Sequence, residues 1–168
     1  MQRLCSIALL ALLVACDSAA PPPPPPTTPP VAATPFKPSV TLKQLMAEVL
    51  EPASNVYWEA VGSVTDAKGT REIAPTTDSQ WVAVRNSATV VAEAGNLLML
   101  DGRARNKDEW MALSRKLIDV AERARSVAEK HDAKGVFDAG AELYEACVSC
   151  HAIYYVGPKA ISLVPPAK

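Results

Sequence analysis

The stretch DAKGVFDAGAELYEACVSCH, residues 132–151, decides how this chain is read. Asp132 is a natural N-cap, and Val136, Phe137, Leu143, Tyr144 and Cys147 then recur near helical spacing. The helix they predict runs through Cys147, Cys150 and His151 and is stopped by Gly157-Pro158. At about 100° per residue, Cys150 lies roughly 60° to one side of Cys147 and His151 about 40° to the other. Two thiols and an imidazole therefore share the apolar face of a closing helix.

Three more periodic segments precede it. Over 41–61, Leu42, Leu45, Met46, Val49, Leu50, Val56 and Tyr57 recur near a period of 3.6. Pro52 lies inside this segment and should free the carbonyl of Glu48, giving a kink or a break. Residues 62–75 are polar and contain glycine, and read as a loop with room for some local structure. The second segment takes Asp78 as its N-cap and follows Trp81, Val84, Ala88, Val91, Leu98 and Met99 toward Gly102. The third opens on Asn106 with Glu109 three residues on, a capping-box pattern, and carries Trp110, Leu113, Leu117, Val120, Ala124 and Val127 to about Lys130. Strand signals are weak, because the pair Val90-Val91 sits in an Ala- and Leu-rich context. Four such helices with short connections predict an all-α, antiparallel four-helix bundle. Arg115, Lys116, Asp119 and Glu122 are then solvated helix surface.

The chain has 168 residues, enough for one domain with a real core; 49% are hydrophobic but only 5% aromatic, which suits helices built on Ala, Leu and Val. Seventeen basic against 18 acidic residues leave a formal charge of −1, so no basic field exists to attract nucleic acid. Arg3 followed by the apolar run from Ile7 to Val14 has signal-peptide length and is too short to span a bilayer. Leu13-Val14-Ala15-Cys16 resembles the lipobox of bacterial lipoproteins, so 1–15 is expected to be a signal peptide and Cys16 the lipidated first residue of an anchored protein. Prolines at 21–26, 29, 30, 35 and 38 make 16–38 a polyproline-II tether, rising about 3.1 Å per residue where regular. Residues 39–168 form the folded domain, held on the periplasmic side of the membrane.

No cysteine lies between 17 and 146, which argues against a disulfide framework. A zinc site at Cys147, Cys150 and His151 would want a fourth ligand, and the remaining histidine is His131. A thioredoxin-type motif belongs at a helix N-terminus in a βαβ unit, whereas this one closes a helix. Cys-x-x-Cys-His is the pattern of covalent haem attachment, with thiols to reach two vinyl groups and His151 as the proximal iron ligand. One covalent haem c is the expected cofactor.

A Cys-x-x-Cys-His on the last of four exported helices resembles the class II c-type cytochromes, the cytochrome c′ family, over 39–168. Leu45-Met46 through Pro52-Ala53-Ser54 to Tyr57-Trp58 is similar to a lipoprotein subgroup of that family. The resemblance implies a distal residue on the first helix, which is Met46 here, so that His151 and Met46 would ligate the iron. Met99 and Met111 lie nearer the ends of their segments, and His131 reads as a helix C-terminal residue. The implied role is electron transfer rather than enzymatic catalysis, with an unidentified redox partner protein and the possibility of a homodimer. The alternative is a five-coordinate binder of nitric oxide or carbon monoxide. One position departs from the family: Tyr155 stands where many members carry an arginine near the haem propionates, so that contact must come from a tyrosine hydroxyl or a basic residue of another helix.

Overall fold

A computed structural model of the chain describes residues 36–155. The apolar leader, Cys16, nearly all of the proline-rich tether and the Gly157-Pro158 stop lie outside the described residues. The described chain is mostly helical, in four long helical stretches, with one two-stranded sheet.

The first stretch is composite. Helix α1, Leu42–Leu45, opens on a capping box in which Thr41 Oγ1 accepts from the amide of Gln44 and Gln44 Oε1 accepts from that of Thr41, both at 3.2 Å. A π-helical turn, Met46–Leu50, follows and leads into α2, Glu51–Trp58. The amide of Glu51 reaches back five residues to the carbonyl of Met46. The chain thus meets Pro52 with a widened turn rather than a break, and the proline sits in the first turn of α2, where its missing N–H costs least. The extra residue resets the register: Leu45 and Leu50, five apart, are both buried, and Val56, expected on the apolar stripe, is 48% exposed.

Residues 62–75 are not a plain loop. Strands β1, Gly62–Asp66, and β2, Gly69–Ile73, pair antiparallel from Gly62↔Ile73 to Asp66↔Gly69. The β-branched Val64, Thr65, Thr70 and Ile73 flank a two-residue connection, and Thr65 and Thr70 share a hydroxyl hydrogen bond of 2.8 Å across the ladder. Gly69 takes φ +120° to close the turn, while the Lys68 amide donates to Asp66 Oδ1.

Helix α3, Asp78–Leu98, is capped by Thr77 in a box with Gln80, so Asp78 is its first helical residue and not its cap. Helix α4, Glu109–Glu129, starts differently from the expected Asn106–Glu109 box. Asn106 Oδ1 accepts from the amides of Asp108 and Trp110, at 3.2 and 3.0 Å, and so caps the helix from outside it. Helix α5, Ala133–Tyr154, is capped by Asp132 as expected, through the Gly135 amide.

Helix α3 packs on α4, α4 on α5, and α2 on both α3 and α5. Gly95 permits the α3–α4 approach, since a Cβ there would fall 2.5 Å from Ile118 Cγ1. The core divides into two apolar clusters. One contains Tyr57, Trp81, Val84, Ala88, Ala124 and Val136; the other contains Leu45, Leu50, Val91, Leu98, Trp110, Leu117 and Leu143. Tyr57 Oη donates to the Ala124 carbonyl at 3.1 Å and Trp58 Nε1 to that of Gly140 at 2.9 Å, which ties α2 to both α4 and α5. Phe137, expected on the apolar face of α5, is 62% exposed.

Candidate functional site

Cys147, Cys150 and His151 occupy the last two turns of α5. The helix persists there because Val136, Ala139, Gly140, Leu143 and Ala146 bury one stripe at three- and four-residue spacing. Cys147 follows Leu143 by one turn, on the border of that stripe. Both thiols are free and partly buried, and both pack against the cluster of Leu45, Trp110 and Leu143. Met46 and Met111 pack against the same cluster. The fold therefore brings Met46, the first residue of the π-helical turn, onto the apolar surface that the two cysteines border, about one hundred residues further along the chain. Met99 serves as the C-cap of α3.

The environment sets the protonation of the triad. Burial pushes the Cys147 thiol up to about 11, with Cys150 nearby adding to the effect. Burial raises Cys150 too, helped by the charge of Glu109. His151 is shifted the other way, because burial disfavours the imidazolium. At neutral pH the site thus presents two protonated thiols and an uncharged imidazole. A redox-active Cys-x-x-Cys shows the reverse, a thiol with depressed pKa. Among the described residues no three His, Cys, Asp or Glu side chains group in a way that could hold a metal ion.

The end of α5 is pinned by aromatic contacts. Tyr154, one turn past Cys150, meets the Trp110 ring edge-on at 4.9 Å, and its hydroxyl oxygen accepts from Asn106 Nδ2 at 2.6 Å. Trp110 Nε1 in turn donates to the Leu98 carbonyl at 2.8 Å. The motif helix is thereby held to the start of α4 and the end of α3. Tyr155 is the exposed C-cap of α5, its ring tilted against His151 at 5.6 Å.

Two further residues bear on the site. His131 is not gathered to it: it lies just past α4 with its ring stacked on Trp81. Arg103, which the sequence analysis does not single out, is only 6% exposed. Its Nη2 donates to the Val40 carbonyl at 2.9 Å and its Nη1 to that of Leu97 at 3.3 Å, while Nε has no partner. Nothing in Arg103-Ala104-Arg105 marks one arginine as buried, because burial there depends on Val40, 63 positions earlier.

No helix among the described residues is long and apolar enough to cross a membrane. Compared with protein-family models, curated proteins and solved structures, the chain matches none.

Proposed function

We propose that this chain is an exported monohaem c-type cytochrome of the class II kind, an antiparallel four-helix bundle acting in electron transfer and tethered through a lipidated Cys16. The observation that carries the reading is the juxtaposition of Cys147, Cys150 and Met46 on one apolar cluster, with His151 half-buried beside them. The residues fit the group: two thiols and an imidazole at attachment spacing, a thioether from another helix, and a buried guanidinium N–H without a partner.

Bound there, the haem supplies a one-electron iron couple. Cys147 and Cys150 would hold it through thioether bonds, each S–H adding across one vinyl group, and the uncharged His151 would offer a ring nitrogen to the iron. Met46, packed on the same apolar cluster, would offer its sulfur as a second ligand. Leu45, Trp110 and Leu143 give the site an apolar, buried wall, which with a His/Met ligand pair would favour the reduced state. The Tyr154–Trp110–Leu98 chain of contacts fixes the end of α5 and so the direction of His151.

The test is an absorption spectrum of the purified protein, reduced and denatured, before and after extraction with acidified solvent. A haem that stays with the polypeptide supports the reading, and one that extracts overturns it. Carbon monoxide added to the native ferrous protein separates the two roles: little binding fits a six-coordinate carrier, whereas rapid binding fits the five-coordinate gas-binding alternative. For the anchor, Cys16→Ser should release the protein from membranes, and an unchanged fractionation sinks that part.

A further inference from the structure

Arg103 is the one charged side chain that the fold buries among the described residues. It sits in the connection from α3 to α4, directly after Gly102. Arginine keeps its charge in protein interiors, and a buried charge is costly unless an opposite charge completes it. No carboxylate among the described residues lies within ion-pair distance of it. Two neutral carbonyls, of Val40 and Leu97, hold the ends of the guanidinium, and the latter belongs to the favourable C-terminal turn of α3. Neither brings a full negative charge, and the Nε–H remains buried without an acceptor. The fork is half used.

Its position says which anion would complete it. Val40 packs against the same cluster as Cys147, Cys150 and Met46. Leu97 adjoins Leu98, whose carbonyl takes the Trp110 indole, and Trp110 abuts Tyr154, three residues past His151. Arg103 therefore lies at the end of the helices where the attachment motif ends. Of the nearby groups, the Tyr154 hydroxyl is neutral and accepts from Asn106 Nδ2, and the cations Arg105 and Lys107 are exposed to solvent. Ala152 to Tyr155, which follow His151 at the end of α5, include no cation.

We infer that Arg103 is the counter-cation of a haem propionate, its free N–H groups forming a charge-assisted fork to the carboxylate. The inference rests on the haem reading of residues 147–151. It assigns the propionate contact to the α3–α4 connection instead of to the motif helix.

The experiment uses the wild-type holoprotein in the ferrous state, under carbon monoxide if the sixth position is open, labelled with ¹⁵N-arginine. The Nε–H of Arg103 should exchange slowly and show nuclear Overhauser contacts to propionate methylene protons. Absence of those contacts overturns the inference, and so does a resonance that moves when inorganic phosphate is added, which would mean an exchangeable free anion. As a second arm, Arg103→Met should lower the midpoint potential, since an uncompensated carboxylate favours ferric iron, and Arg103→Lys should recover most of the loss. Wild-type potential in Arg103→Met at full haem content overturns it as well. Should Arg103→Met fail to fold, the wild-type contacts decide alone. A wild-type chain without covalent haem removes the underlying reading, a result distinct from a haem-loaded chain lacking the Arg103 contact.

Discussion

His131 adopts a left-handed backbone (φ 56°) with its imidazole stacked on Trp81, ring centroids 4.9 Å apart and planes 6° from parallel. It occupies the position after the C-cap Lys130 where helices most often place glycine. The amides of His131 and Asp132 return to the carbonyls of Ala128 and Val127, each at 3.1 Å, which is a Schellman closure. The stack compensates for a backbone that a side chain disfavours. His131→Ala, which keeps the backbone penalty and loses the stack, should cost about 1 kcal/mol. His131→Gly loses the stack but removes a penalty of about 1–2 kcal/mol, and should stay near wild type. Urea unfolding of the two variants checks the order.

The register of the first helix makes a second test. Leu45, the last residue of α1, is fully buried, while Met46, the first of the π-helical turn, is only partly so. Leu45→Ala should cost about 2–5 kcal/mol. Met46→Leu should cost under about 1.5 kcal/mol, while altering the visible spectrum if its sulfur ligates iron. If Met46→Leu proved more expensive in urea unfolding than Leu45→Ala, Leu45 would not hold the deeper place.

Tyr57 supplies a pH prediction. Its ring is fully buried, its hydroxyl donates to the Ala124 carbonyl, and burial pushes its ionisation well above the usual 10.0. The folded state therefore keeps a proton that the unfolded chain gives up. That contribution is complete below about pH 10 and is lost as pH rises toward the folded value. Tyr57→Phe should lower stability at pH 7 by about 1 kcal/mol and flatten the alkaline limb of stability against pH. Denaturation midpoints between pH 7 and 11 measure both.

The thiols give another, in the chain before cofactor attachment. With Cys147 raised from 9.0 to about 11 by burial, and Cys150 raised by burial and then by Glu109, alkylation at pH 8 should be slow at both and slower at Cys147. Glu109→Gln should speed Cys150 and leave Cys147 unchanged. Stability owed to the protonated Cys147 thiol is full below pH 9 and fades as pH climbs toward 11. Rates equal to those of the urea-unfolded chain at both cysteines would show that the fold does not bury them.

Some errors of sequence reading share one cause. The hairpin at 62–73 was hidden because its two five-residue strands are almost wholly exposed, so no apolar alternation marks them. What signal existed lay in the β-branched residues on either side of Asp66-Ala67-Lys68-Gly69. Caps were misjudged by one or two positions at α3 and α4, since Thr77, Asp78, Asn106 and Asp108 are all competent and only the bonds formed choose among them. Val56 and Phe137 look like core residues by type, yet the face each occupies is turned outward.

By itself the sequence determined the order of the helices and the spacing of Cys147, Cys150 and His151, because periodicity, caps and a five-residue motif are local properties. The family resemblance pointed to Met46, on a stripe where Leu45 takes the deeper place. Tertiary structure decided the rest: the π-helical register around Pro52, the cluster shared by Met46 and the two cysteines, and the burial of Arg103. Each of these depends on partners tens of residues away, and no local pattern encodes where a carbonyl such as that of Val40 will lie when the helices pack.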